Sequence, residues 1–196
     1  MSQTVTVHPH AQSKYQVRFD WGAEGAARVA ADADVVVWVD VLGEPDAVDT
    51  AFAGAADFAG SADRVVLAGG LVDAALVARR VLELQEQEGR RTFVAVIAAG
   101  AGRPGTTNGI RFCVEDLLGA GAVIDALAGV GIDYSSPEAA AACAAFTGLR
   151  GAVSHLATAS ASGQELLAQG ATPAQIRAAA TLDSASAVRE LSSSQL

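Results

Sequence analysis

The sequence predicts an α/β protein in which a mixed, mostly parallel sheet is sandwiched by helices and continues into a helical C-terminal part. Three observations carry this. The run Asp34 to Asp40 is continuously apolar and β-branched, as a strand buried on both faces must be. Similar runs alternate with helix-like segments as far as residue 127, the pattern of a crossover sheet. From Ser136 onward the start signals are those of helices alone.

Tyr15 to Phe19 alternates apolar and polar residues and reads as a short edge strand, turned by Asp20 to Gly22. Ala23 to Ala31 is a helix, Asp34 to Asp40 the buried strand, and Asp46 to Ala56 a helix after Pro45. Arg64 to Ala68 is the next strand, and Val72 to Glu88 an amphipathic helix stopped by Gly89. Thr92 to Ala98 is a central strand. The loop Gly100 to Gly109 follows, with four glycines, a proline and an asparagine, and then a helix from Val114 to Leu127. Gly119 and Gly121 lower its helix propensity, so a close neighbour is expected there. Ser136 with Pro137 opens the helical part, and Ser162 with Glu165 and Thr172 with Gln175 fit capping boxes. The chain reads as one domain over residues 1–196. Residues 1–14 are expected to be a flexible N-terminus, 136–183 the helical part and 184–196 a frayed tail.

Composition narrows the function. The formal net charge is −9, which repels phosphate backbones and anionic headgroups, so neither a nucleic acid nor a membrane is an expected partner. Hydrophobic residues make up 51% and charged residues 18%, which excludes a disordered chain. Leu117 to Ile132 is the most apolar stretch, but Asp125 interrupts it short of a membrane span. No basic segment followed by an apolar run opens the chain, so a cytoplasmic location is the default expectation. Ala, Val and Leu helix faces with few aromatics suit a homo-oligomer. Cys113 and Cys143 have no CxxC or histidine at ligand spacing and read as free buried thiols. His8 and His10 fall in the N-terminal segment, and His155 reads as a half-buried packing residue.

Four constellations bear on chemistry. Gly100, Gly102 and Gly105 match a dinucleotide fingerprint, but Pro104 and residues 106–109 predict continued loop where that motif needs a helix to start. Asp40 ends a buried strand, where α/β sheets place ligands. A carboxylate there suits a hard cation such as Mg²⁺, and equally suits a turn residue bonded to its own loop. Glu115 and Asp116 stand in the first turn of a helix, where the dipole favours them in any role. Arg103 and Arg111 flank the glycine-rich loop as cations for a phosphoryl group, with Asn108 among glycines able to present N–H donors. Ser162 and Gly163 start a helix that can bind an anion or simply be capped. No Ser-His-Asp set follows from spacing, and Cys113 has no recognisable base partner.

These segments resemble the 2-phosphosulfolactate phosphatase family. The resemblance is carried by residues 17–22, 36–42, 94–100 and 160–167 with Leu182 and Asp183, and most specifically by Val114 to Leu127. It implies an α/β fold, a bound Mg²⁺ and hydrolysis of a phosphate monoester on a small acidic metabolite. Asp40, Glu115 and Asp116 fall in its motifs as the metal-binding set. Asp40, Glu115 and Arg111 are the expected catalytic residues, with Arg103, Asn108, Ser162 and Gly163 on the substrate. The chain departs from the pattern in three places. Gly43 to Asp46 replaces a cationic, hydroxyl-rich stretch, Ala53 to Arg64 lacks a middle segment, and Val72-Asp73-Ala74 replaces Arg-Asn-Ala. The alternative is therefore an inactive member that binds a small metabolite or serves as an assembly partner.

Overall fold

The computed structural model describes residues 8–43, 64–102 and 109–191. Five strands form the main sheet: β1 (Val17–Trp21), β2 (Val35–Val39), β3 (Val65–Ala68), β4 (Val94–Ala98) and β7 (Arg189–Leu191), in the order β1-β4-β2-β3-β7. The first four are parallel and β7 is antiparallel to β3. The mixed, mostly parallel α/β architecture is therefore present. A separate two-stranded ladder joins β5 (Ala101–Gly102) to β6 (Ile110–Arg111).

Burial on both faces explains why β2 is all apolar. Val35, Val37 and Val39 face a core shared with α2 (Ala74–Glu88), α3 (Val114–Gly129) and α4 (Pro137–Leu149). Val36 and Trp38 face the other side, where Ala26 and Val29 of α1 (Gly22–Val29) cover them. Among the described residues three short helices follow, α5 (Val153–Ala159), α6 (Ala161–Ala168) and α7 (Pro173–Ala179), before β7. No helix among the described residues is long and apolar enough to cross a membrane.

The predicted edge strand lies at the sheet edge, and its free side is closed by neighbours. Tyr134 and Ser136 hydrogen-bond the backbone of Val17. The Gln12 side-chain amide donates to the Phe19 carbonyl at 2.9 Å and accepts the Phe19 N–H at 3.0 Å, imitating a strand. Of the N-terminal segment, Pro9–Ala11 is a 3₁₀ turn. Arg18 is fully buried and donates to the carbonyls of Ser13, Tyr15 and Val29 as well as pairing with Asp32.

Local signals fared well where the helix end is set locally. Ser136 accepts from the Ala139 N–H, Thr172 and Gln175 make a reciprocal capping box, and Gly89 stops α2 at φ 62°. A methyl at Gly119 would lie within 2.8 Å of the Val39 and Val41 side chains, and one at Gly121 would strike the Ala142 carbonyl. Their presence keeps α3 against the sheet and α4.

Four expectations need correction. Ser160, not Ser162, caps α6, accepting the Gly163 N–H at 3.0 Å, because Ser160 is the last extended residue before the helix. The tail is not frayed from Ser184. Asp183 and Ala185 donate to the carbonyls of Leu71 and Val72, and residues 189–191 pair with β3, whose outer edge would otherwise be open. The glycine-rich loop is zipped at its base by β5 and β6 rather than irregular throughout. His155 is exposed on α5, since Val153 and Ala157 take its buried face. The helix expected over residues 46–56 lies outside the described residues.

Candidate active site

The four parallel strands all end on one side of the sheet, and there β2 and β4 run side by side. The chain leaves β2 through Asp40 and Val41 and leaves β4 through Gly100. Asp116, in the first turn of α3, accepts the Val41 N–H and the Gly100 N–H, each at 2.9 Å. One buried carboxylate thus fixes both exits. This is the crevice at the carboxyl ends of the strands in which α/β folds bind ligands.

A cavity of about 230 Å³ opens at that point. Asp40, Arg111, Glu115, Asp116 and Ser162 line it, with Cys113 and Glu165 beside them. Residues from a strand end, a hairpin and two helix starts therefore meet in one cleft. Arg103 and Asn108 lie outside the described residues. Gly163 is buried and does not line the cavity. Its N–H is bonded to Ser160, and a side chain there would strike the Ala157 carbonyl, so Gly163 serves close packing rather than anion binding.

The three carboxylates differ in what satisfies them. Both oxygens of Asp116 accept backbone N–H groups. Burial, and after it the nearby Asp40 charge, pushes its pKa up to about 8 against the pull of those donors. Asp40 is half-buried, and the loss of water raises its pKa while the Gly43 N–H lowers it. The Asp40 carboxylate occupies the space a Cβ at Gly43 would need, so the glycine is required there. The turn-residue reading of Asp40 thus holds, and the carboxyl still faces the cleft. Glu115 is 2% exposed, and its Oε2 is buried without a hydrogen-bond partner among the described residues. An orphaned carboxylate oxygen costs about 1–3 kcal/mol, so in a cleft it is a candidate position for a ligand, an ion or a water.

That oxygen and the Asp40 carboxyl fit a hard divalent cation. Mg²⁺ uses one or two protein carboxylates and fills its other positions with water and phosphate. Among the described residues no three acidic, histidine or cysteine side chains make a ready metal cage, which such a cation does not need.

Arg111 stands at the mouth. Its Nη2 lies 3.4 Å from the Ser162 hydroxyl and 3.5 Å from a Glu165 oxygen. Cys113 is 3.6 Å from the same hydroxyl. Burial pushes its thiol up to about 11, so it stays protonated and is no nucleophile. Cys113 and Cys143 are free thiols, the second only partly buried. The dinucleotide reading fails on geometry. Gly102 sits in β5, and among the described residues the next helix begins at Val114, so no described helix N-terminus meets Gly100 or Gly102.

The family model described as 2-phosphosulpholactate phosphatase matches residues 48–194. This chain belongs to that family. The matched stretch includes Arg111, Glu115, Asp116 and Ser162, and Asp40 with β1 and β2 precedes it. A comparison with curated proteins finds no match.

The larger cleft beside β1, about 680 Å³ and lined by Phe19, Trp21 and Leu117, takes in none of the expected catalytic, substrate-binding or metal-binding residues. Sequence reasoning had given Glu165 only a capping role and Cys113 none in the site. Glu165 stands in the 160–167 segment that carries the resemblance, but neither residue's spacing announces its place in the cleft. Each reaches the cleft through where α6 and β6 pack.

Proposed function

We propose that this chain hydrolyses a phosphate monoester of a small acidic metabolite with a bound Mg²⁺, as a phosphatase of its family. The observation that carries the reading is the buried, unpartnered Glu115 Oε2 in the cleft beside Asp40. Asp40 and Glu115 would hold the cation, and Asp116 keeps the two loops in place by bonding their N–H groups. When bound, Mg²⁺ neutralises phosphoryl charge and lowers the pKa of water. Arg111 binds phosphoryl oxygens at the mouth, where its fork suits them, and Ser162 adds a hydroxyl donor. The reaction transfers the phosphoryl group to water and releases the alcohol and inorganic phosphate.

The cleft is smaller than the roughly 300–1,000 Å³ of drug-sized ligand sites, which favours a substrate of few atoms over a nucleotide. A second reading, binding of a small metabolite without turnover, is favoured by the charge balance. Asp40, Glu115 and Glu165, joined by Asp116 once it ionises near pH 8, line the cleft against Arg111 alone among the described residues. Phosphate release from 2-phosphosulfolactate, phospholactate and a panel of small phosphomonoesters, with Mg²⁺ and with EDTA, separates the two. Turnover that needs Mg²⁺ and is lost in Asp40→Asn supports hydrolysis. Mg²⁺ binding without turnover on any of them supports the second reading.

A further inference from the structure

The start of α6 assigns a role to Glu165. Because Ser160 takes the cap, Ser162 and Glu165 are released from the box that their spacing suggests, and both turn to Arg111. Their contacts with it are long. A charge-assisted N–H to carboxylate bond settles at about 2.7–2.9 Å, and here the separation is 3.5 Å. The Glu165 side chain is 65% exposed, so water weakens the attraction further. Arg111, at 29%, is the more enclosed partner.

We propose that Glu165 is a specificity-determining positioning residue, a resident anion that occupies Arg111 in the empty cleft and yields it to the anionic group of the substrate. This rests on the phosphatase reading of the same site. A phosphoryl or carboxylate oxygen at ordinary distance on Arg111 outcompetes the long contact to Glu165, whereas a neutral ligand does not. Glu165 thus sets a threshold: a ligand gains Arg111 only if its own negative charge exceeds what Glu165 offers. Ser162 stays as a neutral donor beside the guanidinium and has no charge to surrender.

The test measures inorganic phosphate binding in the presence of Mg²⁺ by titration calorimetry, for wild type, Glu165→Gln, Arg111→Gln and the double variant. Melting curves check that each is folded. Glu165→Gln should bind phosphate about 1.5- to fivefold more tightly, the range of a solvent-exposed ion pair. The gain should vanish in the Arg111→Gln background, because Glu165 acts through that guanidinium. A gain that persists there reflects general charge in the cleft and overturns the proposal. So does unchanged or weaker binding by Glu165→Gln while wild type binds phosphate, which leaves the phosphatase reading standing. If wild type binds Mg²⁺ but neither it nor Glu165→Gln binds phosphate, the phosphatase reading and this proposal fall together.

Discussion

Arg18 and Glu115 are both charged side chains taken out of water, and they differ in what meets them. Arg18 finds three backbone carbonyls and the Asp32 carboxylate, and Phe93 lies under its guanidinium at 5.3 Å. Glu115 keeps an oxygen with no hydrogen-bond partner among the described residues. A buried charge whose bonds are complete is architecture, since it ties the segment before β1 and the end of α1 to the strand. A buried charge left incomplete at the carboxyl ends of parallel strands is a candidate place for a ligand.

Breaking the satisfied side should cost most. Arg18→Ala strands three carbonyls and should destabilise the fold by about 3–5 kcal/mol, read as a lower midpoint in urea. Asp116 stands between the two cases, buried like Glu115 but bonded at both oxygens. Asp116→Asn offers one acceptor to two N–H groups, so it should weaken Mg²⁺ binding and cost about 2–3 kcal/mol at pH 4, a cost that shrinks as pH rises toward 8, because the raised Asp116 pKa makes the wild type itself lose stability over that range. Stability loss without any change in Mg²⁺ affinity would show that the loops do not shape the cleft.

Asp73 sharpens the comparison with the opposite sign. It accepts the Gly70 N–H at 2.8 Å, and burial raises its pKa to about 6. A folded pKa above the unfolded one means that the folded state holds its proton more tightly. Stability is then lost as pH rises from about 4 to 6 and stays lost above that range. Asp73→Asn keeps an acceptor and removes the charge. It should raise stability by about 2 kcal/mol at pH 8 and change little at pH 4, as melting curves at the two values will report.

Legibility followed the range of the interaction. The all-apolar β2, the stop at Gly89 and the caps at Ser136 and Thr172 depend on neighbours in sequence and were readable. β7 depends on the open edge of β3, and the start of α2 on Asp183, which accepts the Ala75 N–H at 2.8 Å from across the chain. Nothing local signals either. The same holds at the cleft. Asp40 at a strand end and Glu115 and Asp116 at a helix start announce themselves by position. Their division into clamp and free acceptor depends on which N–H groups the fold brings up. Ser162 and Glu165 misled as a capping pair because Ser160, two residues earlier, carries the same chemistry.

The most direct measurement is a Mg²⁺ titration of wild type and Glu115→Gln, followed by calorimetry and by melting temperature. If the orphaned oxygen holds the cation, Mg²⁺ raises the wild-type melting temperature by mass action, and Glu115→Gln loses at least tenfold in affinity while melting no lower than wild type without the cation. A Glu115→Gln protein that keeps the full Mg²⁺ response, or a wild type that shows none, would contradict the assignment of this cleft as the cation site.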